Sequence, residues 1–175
     1  IRDAHDPAEL AQAIAEIHAL DHDAMVERFL DGSDVEVPVI TLGGAPALLP
    51  MMIFEQADPT HLRTYQEKRD LVDRSRKYRL NLFEDPRMGA QLADYTARLS
   101  EVFRPFDYGR FEFRIDFATG EIRLLEVNLN CNLWSEKVFG RAAVAAGFTQ
   151  AELIETIVAE SMIRQLGTAA QRSAA

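Results

Sequence analysis

The stretch from Arg110 to Cys131, RFEFRIDFATGEIRLLEVNLNC, limits the possible folds more than any other part of the chain. Phe111, Phe113, Ile115 and Phe117 alternate with Glu112, Arg114 and Asp116. A period of two sends successive side chains to opposite faces of a strand, so one face is apolar and the other charged. A second run, Ile122 to Asn128, carries Glu126 and Asn128 two residues apart and therefore on one side. The two runs predict an antiparallel hairpin. Folding alone has no use for so many ionisable groups on a shared face, whereas a divalent cation held against a polyphosphate does.

Register decides whether the acids meet. Opposed residues of an antiparallel pair have a constant index sum, and an odd-numbered connection makes it even, so that Asp116, Glu126 and Asn128 share a face. A tight loop at Ala118–Gly120 leaves Glu126 four residues beyond the partner of Asp116, roughly 13 Å at about 3.3 Å per residue. A common ion cannot span that. A wider loop of about five residues, Thr119 to Arg123, or a bulge, sets Asp116 opposite Glu126 and is the expected arrangement. Mg²⁺ takes one or two carboxylates plus phosphate oxygens, which suits Asp116, Glu126 and Asn128. A solvated face neutralised by Arg114 and Arg123 is the alternative that spacing leaves open. Arg114 is a candidate for stabilising charge on a transferring phosphoryl group, or a plain ion-pair partner of Glu112 or Asp116.

The remaining composition narrows the class. With 175 residues, 47% of them hydrophobic, the chain can form one ordinary domain. A net charge of −9 argues against a nucleic-acid surface. The single cysteine, Cys131, excludes an internal disulfide and fits a reducing compartment. No apolar run has the length of a membrane span and no secretory leader is read, so the expectation is a soluble cytoplasmic protein. The chain opens at Ile1 without an initiator Met, as a piece of a longer protein would.

Along the chain, Asp6-Pro7-Ala8-Glu9 predicts a helix start, with Leu10, Ile14 and Ile17 on its apolar stripe to about Leu20. Ala24–Leu30 reads as a buried strand, Val35–Leu42 as a second, and Gly43-Gly44 turns toward a third at Ala47–Phe54. Residues 55–84 lack clean periodicity, and between Arg63 and Arg79 seven basic residues face three acidic ones, a balance of +4. Loops of that length are usually functional or disordered. Asp85-Pro86 opens a helix with Leu92, Tyr95, Leu99 and Val102 inward; Lys137–Ala146 is a short helix stopped by Gly147. Thr149 and Glu152 have capping-box spacing for a last helix, with Leu153, Ile154, Ile157, Val158, Met162 and Ile163 as its stripe and Gly167 as its end. Trp134 and Phe139 read as core, and Cys131 as a buried thiol.

Two further sites are candidates. The backbone of Glu27, Arg28, Phe29 and Leu30, beside apolar side chains, can hydrogen-bond an adenine, and Asp34 can accept ribose hydroxyls; a charged hairpin end is the plainer reading. Glu36 can meet a substrate amine or merely face outward. Lys68 and Arg69 can cover phosphates as a lid, or lie in a solvated loop.

In order along the chain, MVERFLDGSDVEV (Met25–Val37), LLP (Leu48–Pro50), TYQEKRD (Thr64–Asp70), FRIDF (Phe113–Phe117) and LLEVNLN (Leu124–Asn130) resemble the ATP-grasp family, and within it the C-terminal part of D-alanine–D-alanine ligase-like carboxylate–amine ligases. The resemblance covers nearly the whole chain. It implies an α+β fold, an antiparallel sheet with helices on one side, in which about 1–45 end a smaller ATP-binding subdomain, 46–167 form a larger one with a mobile loop at 55–84, and 168–175 are a tail. It further implies ATP held at Glu27–Leu30 and Asp34, two Mg²⁺ ions (Mn²⁺ as a possible substitute) at Asp116, Glu126 and Asn128, Arg114 at the acyl-phosphate, and Lys68 at the γ-phosphate, with Lys77 a second match in that loop. The implied reaction joins a small-molecule carboxylate to an amine, with no nucleic acid or membrane partner, and is compatible with a homodimer. A non-catalytic nucleotide-binding module of the same fold is the rival.

Two departures stand out. Where the ligases have a Pro-Gly turn followed by a serine, this chain has Asn130-Cys131-Asn132-Leu133-Trp134, with Ser135 out of step. The family's N-terminal part, with its glycine-rich phosphate loop, would precede Ile1.

Overall fold

The computed structural model describes residues 2–56, 58 and 78–173. Its frame is one antiparallel sheet of β1 (Ser33–Leu42), β2 (Ala45–Leu48), β3 (Met52–Gln56), β4 (Tyr78–Leu82), β5 (Tyr108–Asp116) and β6 (Glu121–Asn128). The strand order is β4-β3-β1-β5-β6, with β2 also paired to β1. Gly43 and Gly44 both have positive φ and join Leu42 to its partner Ala45 in a two-residue hairpin, a turn that demands such backbone angles. The chain then bends through Leu49–Met51, so β3 pairs with the other end of β1, Val35 facing Ile53. The single strand expected over Ala47–Phe54 is therefore two, because Pro50 interrupts the ladder between them.

The strand expected at Ala24–Leu30 does not form. Both edges of β1 are already occupied, one by β2 and β3 and the other by β5, so no neighbouring edge is open to it. The segment has no regular secondary structure, and Met25 is 80% exposed. The irregular stretch expected over 55–84 is also shorter: Glu55 and Gln56 close β3, and Tyr78–Leu82 pair with that strand as β4. Lys68 and Lys77 lie outside the described residues.

Two apolar cores sit on opposite faces of the sheet, not on one side as expected. On one face Val35, Val37 and Val39 join Phe111, Phe113 and Ile115 beneath α2 (Pro86–Phe103) through its Met88 and Leu92. Asp85 caps that helix by accepting hydrogen bonds from the Arg87 and Met88 amides. The buried row of α2 is Met88, Leu92, Thr96 and Ser100, a strict i, i+4 ladder. Tyr95 and Val102, expected inward, are off that row, and Val102 is 76% exposed.

On the other face Ile40, Met52, Phe54 and Cys131 pack against Val138 and Phe139 of α3 (Val138–Ala145) and Leu153 and Ile157 of α4 (Gln150–Ser173). Thr149 and Glu152 form the predicted reciprocal cap: the Thr149 amide donates to Glu152 Oε2 at 2.7 Å and the Glu152 amide to Thr149 Oγ1 at 3.2 Å. Glu160 accepts from the Gly43 amide at 2.7 Å, and Arg164 donates to Asp107 at 2.8 Å, so α4 is tied to the sheet at two further points. The helix continues past Gly167 to Ser173, beyond its expected end, and Val158, Met162 and Ile163 of the expected stripe are exposed. α1 (Pro7–His18), capped by Asp6, has no buried residue. No single helix among the described residues is long and apolar enough to cross a membrane; the one pair that passes together is bent by 102°.

Candidate functional site

α3 and α4 pack on one face of the sheet around Ile40, Met52 and Phe54. On that face, alongside Met52 and Phe54, the register of three adjacent strands builds a polar grid in which Asp34, Glu36, Glu112 and Arg114 are buried and Glu126 is exposed. Glu36 of β1 is the partner of Glu112 of β5, which is in turn the partner of Glu126 of β6. The next row holds Arg110 and Asn128, also cross-strand partners. The row on the other side holds Asp34, Arg114 and Arg123. Cross-strand partners on one face bring their Cβ atoms to about 5 Å, so a line of three carboxylates is flanked by an amide and guanidinium groups.

A single guanidinium joins two of the three acids. Arg110 Nε lies 2.8 Å from Glu36 Oε2 and donates to Glu112 Oε1 at 2.9 Å, and Nη2 also donates to that Glu112 oxygen. Three carboxylates against one guanidinium leave a formal charge of −2. The structure answers that excess by protonation: burial first, then the Glu36 carboxylate, push the Glu112 carboxyl up to about 8, against the opposing pull of Arg110. The Glu126 side chain shares a hydrogen bond with it, which also favours the protonated form. Burial lowers the Arg110 pKa, but the charges of Glu36 and Glu112 more than offset this and raise it overall.

The expected convergence of Asp116 with Glu126 does not occur. The hairpin is tight, with Asp116 opposite Glu121, and a bulge between Glu112 and Phe113 resets the ladder so that Glu126 faces Glu112. Asp116 sits four residues from Glu112 along β5, roughly 13 Å away. Its carboxylate instead closes the turn, accepting from the Ala118 amide at 2.8 Å and the Thr119 hydroxyl at 2.7 Å. The Thr119 hydroxyl and then the Ala118 amide hold its pKa below the ordinary value. A bulge was one of the two expected devices; what it aligns is a different acid.

Arg114 is likewise drawn elsewhere. It donates to the Leu30 carbonyl through Nε and to Asp34 Oδ1 through Nη1, both at 2.7 Å, and its guanidinium lies 5.5 Å from the Phe29 ring centroid. Arg28, Phe29, Leu30, Arg114 and Asp116 thus line one open cleft, which also takes in Arg123. The expected adenine edge is brought beside Asp34, while Glu27 is exposed and is not among the cleft residues.

Sequence reasoning passed over Arg110 and Glu112, and the signal was present. Arg-x-acid occurs twice in RFEFRIDF, as Arg110-Phe111-Glu112 and Arg114-Ile115-Asp116. Asp116-x-x-Thr119-Gly120 carries turn chemistry, which marks the second copy as the hairpin end and leaves the first for the site.

Past β6, Asn128 Oδ1 accepts from the Asn130 amide at 3.1 Å and Asn132 Oδ1 from the Trp134 amide at 2.7 Å, two local turns in succession. Trp134 is 53% exposed, not core, and Lys137 Nζ lies 6.0 Å from its ring centroid. The Cys131 thiol is buried and its pKa is raised to about 11, mainly by burial, so it is a poor nucleophile.

Among the described residues no group of three or more His, Cys, Asp or Glu is already set as a metal cage. The donor set nonetheless fits a hard divalent cation. Glu112, Glu126 and Asn128 supply oxygens, and exposed Glu126 and half-buried Asn128 leave coordination positions for phosphate and water.

An antiparallel sheet with flanking helices is the architecture of the ATP-grasp C-terminal region. The family model described as D-ala D-ala ligase C-terminus matches residues 1–159, and the chain belongs to that family. The D-alanine–D-alanine ligase of Carboxydothermus hydrogenoformans is 28% identical over 158 residues, covering 86% of this chain and 46% of the relative. The crystal structure of D-alanine–D-alanine ligase from Bacillus anthracis complexed with ATP matches with a TM-score of 0.70 at 15% identity, covering 94% of this chain and 50% of that one. VanG D-Ala:D-Ser ligase from Enterococcus faecalis matches with a TM-score of 0.64 at 15% identity, over 88% of this chain and 43% of that one. The chain thus spans about half the length of the relatives it matches.

Proposed function

We propose that this chain is the Mg·ATP-binding portion of an ATP-dependent carboxylate–amine ligase that forms a peptide-type bond through an acyl-phosphate. The observation that carries the reading is the alignment of Glu112, Glu126, Asn128 and Arg110 on one sheet face. In this reading Glu112, Glu126 and Asn128 hold the cations, in place of the Asp116-centred set expected from the motif. Mg²⁺, or Mn²⁺ in its stead, supplies Lewis-acid neutralisation between phosphate oxygens. Arg110, not Arg114, offsets the charge that builds on the transferring phosphoryl group and the tetrahedral adduct. Arg114 holds the Phe29–Leu30 edge for adenine, and Asp34 receives the ribose. Lys68 reaches the γ-phosphate, and the basic segment around it excludes water from the acyl-phosphate.

The substrates are a small carboxylic acid and an amine. The Asn132 and Ser135 positions depart from the D-alanine ligase pattern, so the pair is taken as amino-acid-like without a commitment to D-alanine. We assign the protein to the cytoplasm, where a lone free thiol is stable.

The test is ADP and phosphate release by the full-length protein across amino-acid pairs. A pair-dependent release that falls at least about 100-fold in Glu126→Ala supports the ligase. Nucleotide binding without turnover for any pair would instead identify a binding module.

A further inference from the structure

Asn128 differs from the other proposed cation ligands, Glu112 and Glu126, because its carboxamide has two chemically different ends. Only Oδ1 can bind a hard cation; turned over, the group would present Nδ2, a hydrogen-bond donor. The local backbone fixes which end is which: the Asn130 amide donates to Asn128 Oδ1 at 3.1 Å. A carboxamide oxygen has two lone pairs, so one stays available for a cation. Asn128 is the last residue of β6, and Asn130 lies beyond the ladder. The amide that orients the ligand is therefore not held by strand pairing. Tyr108, the first residue of β5, supplies the support: its hydroxyl donates to Asn130 Oδ1 at 3.2 Å. The Tyr108 ring stands edge-on to Phe139 of α3, with centroids 5.8 Å apart and planes at 89°. It packs against the same core that buries Cys131, the residue after Asn130. A path of contacts thus runs from the α3 core through Tyr108 and Asn130 to Asn128.

We propose that Tyr108 is a positioning residue for the cation site: through Asn130 it holds the Asn128 carboxamide with its oxygen turned to accept. The inference rests on the reading of Glu112, Glu126 and Asn128 as cation ligands and deepens it. Tyr108→Phe removes the hydroxyl and leaves the ring on Phe139, so one atom separates orientation of the ligand from packing of the core. Groups that orient a metal ligand directly contribute about 10- to 100-fold in metal affinity, and one acting through a further residue contributes less, at least about threefold.

The experiment uses the full-length protein, Tyr108→Phe, Asn130→Ala and the double variant, with Mn²⁺ at saturating ATP as the probe. Mn²⁺ binding is read from water proton relaxation. Its Kd is expected to rise at least about threefold in Tyr108→Phe, with the melting temperature within roughly 2 °C of the parent. Asn130→Ala should weaken Mn²⁺ to a similar degree, and the double variant should add nothing further, because the two side chains form one link. In the metal-free protein, hydrogen exchange of the Asn130 amide is expected to quicken at least about threefold in Tyr108→Phe, while that of Val127 stays unchanged. An unchanged Mn²⁺ affinity, additive losses in the double variant, or an Asn130 amide indifferent to Tyr108→Phe would each overturn the role. So would a melting temperature that falls in step with affinity, or a Tyr108→Phe chain that does not fold, since either makes the hydroxyl merely structural. A parent that binds no Mn²⁺ would overturn the cation reading and this role with it, whereas equal binding by parent and Tyr108→Phe would overturn the role alone.

Discussion

Glu112 sets the charge balance of the sheet face, and its protonation has a direction that can be measured. Its carboxyl is raised from 4.5 to about 8, chiefly by burial and by Glu36. Between those values the folded chain holds a proton that the unfolded chain releases, so stability falls as pH rises through the window and levels off above it. The full effect is on the order of a few kcal/mol. Melting temperature should therefore decline from about pH 5 to about pH 8.5, and Glu112→Gln should flatten that decline. Mg²⁺ should restore stability at the alkaline end more than at the acid end, since only the ionised row attracts it. A melting profile that is flat for the parent would show that Glu112 titrates normally. Asp116 behaves in the opposite sense. Its lowered pKa, caused first by the Thr119 hydroxyl, gives a contribution present at neutral pH and lost as the solution is acidified.

Among the elements, the β5–β6 hairpin and the approach to β1 position everything else. Gly32, with φ of 108°, precedes β1 where the chain passes over β5, and a Cβ there would lie 1.8 Å from the Ile115 carbonyl oxygen. Gly32→Ala should destabilise by about 3 kcal/mol or more and should loosen the Phe29–Leu30 edge, read as a drop in the urea midpoint and a weaker nucleotide affinity. An unchanged midpoint would mean the chain does not approach β5 so closely.

Much of this layer was legible. The caps at Asp6, Asp85 and Thr149, the β5–β6 pair and the Gly43-Gly44 turn all follow from local chemistry that acts within a few residues. The errors came where a distant neighbour decides. Ala24–Leu30 has strand composition but no vacant edge beside β1. Trp134 looks like core by type but follows two asparagine turns that keep it at the surface. The bulge in β6 exchanges Asp116 for Glu112, and hydrophobic alternation does not reveal a bulge, because both Arg-x-acid copies alternate equally well.

At the scale of the whole molecule, the sheet is packed on both faces and the polar grid lies within it, running from buried Glu36 and Glu112 to exposed Glu126. α2 packs through Met88 and Leu92 on the opposite face, against Val35, Val37, Phe111 and Phe113, so the carboxylate row has an apolar floor. The relatives it matches are about twice this length. The Arg110–Glu112–Glu126–Asn128 alignment is the claim on which the functional reading turns, and the two Arg-x-acid copies supply a direct test. Amino-acid-dependent ADP release by the full-length protein should fall at least about 100-fold in Glu112→Gln and stay within about threefold of the parent in Asp116→Asn. The reverse ranking, with Asp116→Asn dead and Glu112→Gln active, would contradict the register and return the site to the hairpin end.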